Sequence, residues 1–585
     1  GEAEEVMSDV SENDILQIPF YLQALAQNVV VQLLQERGEI EEAVDVASEN
    51  INRVLDWLRD SADLQTGHMR MDDEFTEAFR IYTNLLYKNG EIEKALALSG
   101  EVRNLSRAGF YNNPLLKSKI LSEEELVRDY NLSRRIQRLR NSYASASNDQ
   151  KVDISNQLAV AISERNELQQ GAFPNYDETQ YEDSIPETLD QLKRDEMILY
   201  FSVFNEQIFQ FFITRSGIEM RAYPQNLSYL ETLNNAIESL GYGQSDLHLL
   251  HDVYTTFFEG NIPESVEQIY VIPDNRFFQL PIEILPVERP RTPYSYGSTQ
   301  YLIEKYSVSY LNTFSDLLDD ERENDFIYDL TGFGISSFSD AGHPELPDLP
   351  FSPQEVRISA EKLNHLEKKE FFINESSTET NFRSIAGRSR IIHMATHSKV
   401  NADNPLFSAL YMHTGSNADT TDTHLPVNQR DGVIYAYELF DLNLNADLIF
   451  LSSCESGTGG YLEGTGILGF SRAFSYAGAQ SLSMNLWPIR DQTASEISLR
   501  FYEAIDQGKD KAEALREARL HYLNNTNSDP YLWGAFVMYG DIKSPVDRTS
   551  QFFTNLLFGF AVTGLVFSLI FVYQNKSRIR EWAAA

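Results

Sequence analysis

The chain of 585 residues contains a single cysteine, Cys454. That scarcity excludes an internal disulfide framework, CxxC redox chemistry and any multi-cysteine zinc site. Positive charge is also short: 48 Lys and Arg face 87 Asp and Glu, for a formal net charge of −39. Tight binding to nucleic acid depends on counterion release by Lys and Arg, so a nucleic-acid partner is excluded. The start, GEAEEVMSDV, lacks both an initiator Met and an apolar leader-like run. An upstream segment is therefore expected to have been removed or omitted. Apolar residues are not scarce: they make up 42% of the chain, enough for substantial cores in about three or four domains.

Near the C-terminus, residues 552–573 read FFTNLLFGFAVTGLVFSLIFVY without a charge. At about 1.5 Å per residue such a helix crosses a hydrocarbon core of about 30 Å, so a transmembrane helix anchored in the lipid bilayer is expected here. Lys576, Arg578 and Arg580 follow it in a basic tail, residues 574–585, whereas Asp541, Lys543, Asp547 and Arg548 on the other side cancel. The positive-inside rule then puts the tail in the cytoplasm and the body on the periplasmic side of a bacterial membrane. A tail-anchored arrangement with the body inside is the alternative.

From the amino end, residues 1–115 are read as helical repeats. GEIEEAVDVAS from Gly38 and GEIEKALALSG from Gly90 each follow an apolar-periodic helix and open another with acidic residues. This unit of helix, Gly turn and helix resembles tetratricopeptide repeats, although the spacing of 52 residues exceeds the usual length of about 34. A plain helical bundle satisfies the same periodicity. Residues 116–185 are read as a helical hairpin followed by the acidic linker NYDETQYEDSIPET.

Beyond this the rhythm changes, and residues 186–545 are read as an α/β domain. MILYFSVFNEQIFQFFITRSGIEMRAY suggests paired strands with turns at Asn205 and Gly217. The apolar runs QIYVIP, DFIYDLTGFG, SRIIHMATH, SALYMH, DLIFLSSC and SLSMNLWPI then alternate with helices expected near 353–368, 466–477, 493–504 and 511–523. Such alternation argues for a largely parallel sheet buried on both faces, with its site at the carboxyl ends of the strands.

Two of these strands end in reactive side chains, His397 and Cys454. In parallel strands both emerge at one edge, where a thiol and its base can meet. The small residues after Cys454 leave room for a substrate carbonyl, and the backbone N–H groups of Ser398 and Cys454 are candidates for an oxyanion hole. Other motifs lack the right context. His393 and His397 lie four apart on a strand, about 13 Å along it, too far to share one metal. GTGILG at 464–469 matches GxGxxG but starts ten residues after its strand, outside the setting of a dinucleotide site. No GxSxG elbow surrounds Ser452 or Ser453. No metal and no cofactor are expected.

HMATHS, DGVIYAYELFDLNLNADLIFLSSCESGTG, GTGILGFSRAFSYAGAQSLSMNLWPIRD, FYEAIDQGKDKAEALREAR and DPYLWGAFVMYGD, with YVIPDNRFFQLPIEIL and YLIEKYSVSYL upstream, resemble the ordered motifs of the CHAT domain. This is a caspase-fold cysteine peptidase family related to caspases and separases, and its domains commonly follow tetratricopeptide repeats. The resemblance implies a caspase-like fold with His397 and Cys454 as the catalytic dyad and His393 as a structural residue. A Gly usually follows the catalytic His; here it is Ser398, whose backbone N–H is still available. An acidic pocket for a basic P1 side chain would draw on Asp431, Asp447 or Glu455.

The combined reading is a membrane-anchored cysteine endopeptidase acting on a protein or peptide substrate and regulated by a protein partner bound to its helical repeats. The polar stretch from His413 to Asp431 is expected to form a mobile loop at the cleft. The rival reading is an inert CHAT-fold scaffold or adaptor tethered to the membrane.

Overall fold

A computed structural model describes residues 20–61, 73–111, 114–145, 148–172, 184–241, 243–318, 326–401, 405–415, 431–453, 461–462, 466–467 and 469–546. Among these residues no helix is long and apolar enough to cross a membrane. The expected span at 552–573 and the basic tail lie outside them.

Helices come first. α1 (Phe20–Arg37) and α2 (Ile40–Ser61) form one pair, α3 (Asp73–Lys88) and α4 (Ile92–Tyr111) a second. Gly38 and Gly90 separate the helices of each pair with φ of 78° and 76°, in the left-handed region that a side chain would disfavour, so the repeated Gly turns form as expected. α5 (Pro114–Ile120) leads into a hairpin of α6 (Glu123–Ser145) and α7 (Asn148–Ala172), and α8 (Ser184–Gln191) reaches the sheet. Within the hairpin, buried Asp129 joins Lys117 of α5 (2.6 Å) to Arg165 of α7 (3.0 Å), and these cations hold its carboxyl below the usual range.

Among the described residues the central sheet has eleven strands in the order β3-β2-β1-β4-β5-β16-β15-β12-β8-β6-β7. They are β1 (Glu196–Phe204), β2 (Gln207–Thr214), β3 (Gly217–Ala222), β4 (Gln268–Ile272), β5 (Ser307–Tyr310), β6 (Tyr328–Gly334), β7 (Lys369–Ile373), β8 (Ser389–Ala395), β12 (Leu448–Leu451), β15 (Ser481–Asn485) and β16 (Phe536–Gly540). β9 (Ser398–Lys399), β10 (Ala409–Tyr411) and β11 (Val433–Tyr435) make a separate antiparallel sheet; β13 (Tyr461–Leu462) pairs with β14 (Gly466–Ile467). SALYMH therefore belongs to the small sheet and not to the main alternation. Its short run of three strand residues cannot span a two-sided core.

Neighbouring main-sheet strands are parallel except at β3–β2, β2–β1 and β15–β16. The reversal at β15–β16 divides the sheet into two blocks running in opposite directions. The carboxyl ends of β15, β12, β8, β6 and β7 share one edge. Those of β1, β4, β5 and β16 share the other.

β1 is buried along its whole length because both faces are covered. Met197, Leu199, Phe201 and Val203 enter the main core, while Ile198, Tyr200 and Phe204 pack with Phe75, Phe79, Leu86 and Leu96 of the repeat helices. The period of two in the strand thus welds the helical region to the sheet. Arg103 of α4 completes the join. It donates to the carbonyls of Phe201 (3.2 Å) and Pro273 (2.9 Å), and its guanidinium lies 5.0 Å from the Tyr200 ring centroid. At the other block, α9 (Ser352–Lys362) lies so close to β6 that a Cβ on Gly332 would sit 2.1 Å from Val356 Cγ1. The TGFG segment needs its glycine there for that contact. Helices farther along include α10 (Phe470–Tyr476), α11 (Asp491–Asp506) and α12 (Lys511–Asn525).

Candidate active site

β8 is a strand because Ile391, Ile392 and Met394 are wholly buried and fit the pleat between β6 and β12. Thr396 ends it by donating its hydroxyl to the Tyr411 carbonyl, and the Tyr411 N–H donates to the His397 carbonyl at 3.0 Å. His397 is thereby fixed at the carboxyl edge.

The His397 ring is 6% exposed; its Nε2 lies 2.8 Å from the Pro347 carbonyl oxygen, and Phe338 packs on it with ring centroids 4.5 Å apart. A carbonyl only accepts, so this contact assigns the proton to Nε2 and leaves Nδ1 with a lone pair. Burial lowers the His397 pKa below the ordinary 6.5, opposed by that hydrogen bond, so the ring is neutral at pH 7.

Pro347 sits in the connection between β6 and α9, which is pinned along its length. Ile335 N–H donates to Ser352 Oγ (3.1 Å), Ser336 N–H to Asn374 Oδ1 (2.9 Å), Phe338 N–H to Asp348 Oδ1 (3.0 Å) and Leu349 N–H to the Ser336 carbonyl (3.0 Å). Phe351 N–H reaches across to the carboxylate of Asp491, the first residue of α11, at 2.9 Å. Burial raises the pKa of that carboxyl. The ring of bonds holds the Pro347 carbonyl against His397.

His393 occupies a different place from His397. Its Nε2 lies 3.3 Å from Glu355 Oε1, which also accepts from Ser498 Oγ at 2.9 Å, and the ring packs against Phe450 and Tyr502. Both His393 and Glu355 are at most 1% exposed. This is an interior network joining β8 to α9 and α11, and it does not open to the edge. Among the described residues no group of three His, Cys, Asp or Glu could hold a metal ion.

β12 pairs with β8 in parallel, Phe450 opposite His393 and Leu451 opposite Met394, and Ser452 N–H donates to the Met394 carbonyl at 2.9 Å. Ser452 and Ser453 are buried there. Cys454 and Glu455 lie outside the described residues, as do residues 416–430 of the expected mobile loop. Ser398 stands beside His397 in β9, opposite Leu410 of β10. Exposed Asp431 accepts from Val433 N–H at 2.9 Å, at the start of β11.

Asp447 is corrected by strand direction. It immediately precedes β12, its N–H bonds the Arg390 carbonyl (2.8 Å), and its carbonyl accepts from Lys511 Nζ (2.9 Å). It therefore lies at the edge opposite His397, about 20 Å away along the strands. The run DLIFLSSC already contained the signal, since a residue opening a parallel strand cannot share an edge with one closing it. Pro347 had no such signal, for its contribution is a backbone carbonyl. Glu355 and Asp491 likewise carry no signal in the sequence, each an acid at a helix start without a surrounding motif.

The CHAT domain family matches residues 246–541. The chain belongs to this family. Its repeat-like region is not reached by that match. Over part of its length the chain is similar to tetratricopeptide repeat protein 28 of Mus musculus, 30% identical over 132 residues, and of Homo sapiens, 29% identical over 129 residues. These matches take in 22% and 21% of this chain and only 5% of either relative. Among solved structures, the CHAT chain is similar to the Arg-specific cysteine proteinase gingipain R at 10% identity and a TM-score of 0.31, covering 50% of this chain and 66% of that one. It is also similar to the Saccharomyces cerevisiae separase–securin complex at 9% identity and a TM-score of 0.35, covering 92% and 48% respectively.

Proposed function

We propose that this CHAT protein is a cysteine endopeptidase of caspase-like design in which His397 and Cys454 form the dyad. The observation that supports it most is that β12, the strand that precedes Cys454 in the sequence, runs parallel to β8 and ends at the edge where His397 stands with its Nδ1 lone pair. Cys454 gives its thiol proton to His397 Nδ1. The thiolate attacks the scissile carbonyl carbon, and the resulting oxyanion is stabilised by the backbone N–H groups of Ser398 and Cys454. His397 then protonates the departing amine, leaving a thioester that water hydrolyses. The Pro347 carbonyl acts as the orienting group, holding the Nε2–H tautomer and favouring the imidazolium as it forms.

Asp431 and Glu455 remain as the acidic groups for a basic P1 side chain. The repeat helices would receive a regulatory protein, and residues 552–573 would anchor the chain in a bilayer with the body on the periplasmic side. Labelling of an engineered cysteine near Arg580 by an impermeant reagent from outside would reverse that orientation.

The single cysteine makes the central test clean. Iodoacetamide alkylation of Cys454 in the purified protein should show a thiolate titrating below the ordinary value of about 8.5, and His397→Gln should move it back toward that value. Cleavage of a peptide library should disappear with Cys454→Ala. An ordinary thiol pKa unaffected by His397→Gln, together with no cleavage beyond that of the Cys454→Ala protein, would favour the inert scaffold.

A further inference from the structure

A second buried imidazole near this edge takes no part in the proposed mechanism. His343 is 6% exposed and lies in the connection between β6 and α9, four residues before Pro347. Its Nε2 lies 2.9 Å from the Met412 carbonyl oxygen and 3.2 Å from that of Gly432. Both oxygens only accept, so Nε2 carries a proton and donates to the two of them in a three-centre bond. Met412 and Gly432 are themselves paired where β10 ends and β11 begins, Met412 N–H donating to the Gly432 carbonyl at 2.7 Å. The imidazole also packs edge-on against the Tyr411 ring, with centroids 5.1 Å apart.

These contacts put His343 between the two sets of bonds that hold His397. The main chain of His397 is held from β10, where Tyr411 N–H donates to the His397 carbonyl and the Tyr411 carbonyl accepts from Thr396. The ring is held from the connection, by the Pro347 carbonyl and by Phe338. The backbone of His343 belongs to that second holder: its N–H donates to the Phe338 carbonyl at 2.8 Å, and its carbonyl accepts from Leu346 N–H at 3.1 Å. Its side chain reaches the first. A backbone bond from Thr414 N–H to the Ala341 carbonyl, at 3.0 Å, joins the same two segments at exposed Thr414. We propose that His343 is a positioning residue for His397, tying the connection that orients the ring to the strand that fixes the main chain. As a statement about catalysis this rests on the peptidase reading. A ring held by one segment and a main chain held by another keep Nδ1 aimed at one point only while the two segments stay in register. A misplacement of about 1 Å in a reacting group can cost about 10²-fold in rate.

The test uses the purified full chain with isotope-labelled histidines, followed by nuclear magnetic resonance. In the wild type His343 and His397 should each show a proton on Nε2 that is protected from exchange with water. His343→Phe keeps a ring against Tyr411 but removes the donor. It should speed exchange of the His397 Nε2 proton about ten-fold and lower kcat about ten-fold with KM unchanged. His343→Gln places an N–H near the position of Nε2 and should recover both readouts. His343→Asn is too short to reach the two carbonyls; it should repeat the Phe result, and it replaces that variant if His343→Phe does not fold. A wild-type His343 whose only proton is on Nδ1, or folded variants that lower the melting temperature and leave both readouts unmoved, would overturn the proposal. A wild type that cleaves nothing would strike the peptidase reading alone, because exchange at His397 is read without a substrate.

Discussion

The two blocks of the sheet use their strand ends in opposite ways. In the block of β1, β4, β5 and β16, the carboxyl edge is closed by buried cations. Arg103 takes the carbonyls of Phe201 and Pro273, and Lys511 those of Asp541 (3.0 Å) and Asp447. In the block of β15, β12, β8, β6 and β7, the carboxyl edge carries His397, neutral and held by one uncharged carbonyl. A cation that caps carbonyls stabilises the edge and uses up its polarity. The neutral imidazole leaves a lone pair free to accept a proton.

The contrast can be broken from the structural side first. Arg519 and Glu283 form a wholly buried pair at 2.7 Å, extended by Tyr310, which donates to Glu283 at 2.5 Å, and by the Phe536 carbonyl at 2.8 Å from Arg519. Arg519→Met strands the Glu283 charge and should cost about 3–5 kcal/mol in denaturant unfolding. Arg103→Met leaves buried carbonyls without donors but strands no charge. It should cost about 2–3 kcal/mol and loosen the repeat helices first, seen as faster amide exchange in α3 and α4.

On the site side, Glu379 is held by Arg383 at 2.8 Å, yet burial and the nearby Glu438 and Asp431 push its carboxyl up to about 8. The folded state therefore binds a proton that the unfolded state has lost from about pH 4.5 upward. Stability should fall as pH rises from about 4.5 to about 8 and then level off. Glu379→Gln should flatten this part of the melting-temperature profile by an amount worth about 1–3 kcal/mol at the alkaline end. The smallest effect is expected at Asp447: Asp447→Asn should leave Cys454 alkylation and any cleavage preference unchanged, because the residue lies at the other edge. A changed P1 preference would contradict the assigned strand direction.

Much of this layout was legible in residues. Gly38 and Gly90 announced the two turns, Asn205 and Gly217 the strand turns, and the apolar runs ending at His397 and Cys454 announced β8 and β12. The join between repeats and sheet was not legible. Phe79 and Tyr200 each look like ordinary core residues of their own element, and nothing in either segment says that they share one core. The same holds for Glu355, whose partners His393 and Ser498 are 38 and 143 residues away.

By itself, the sequence determined which residues could form strands, where those strands end and which side chains stand there, because hydrophobic period and turn chemistry are local properties of a chain. It also determined the family, through motifs distributed along that chain. The tertiary structure decided which strands run in the same direction and that a backbone carbonyl at Pro347 faces His397. Those facts depend on packing between distant segments, and a carbonyl that every residue possesses leaves no mark in the order of side chains.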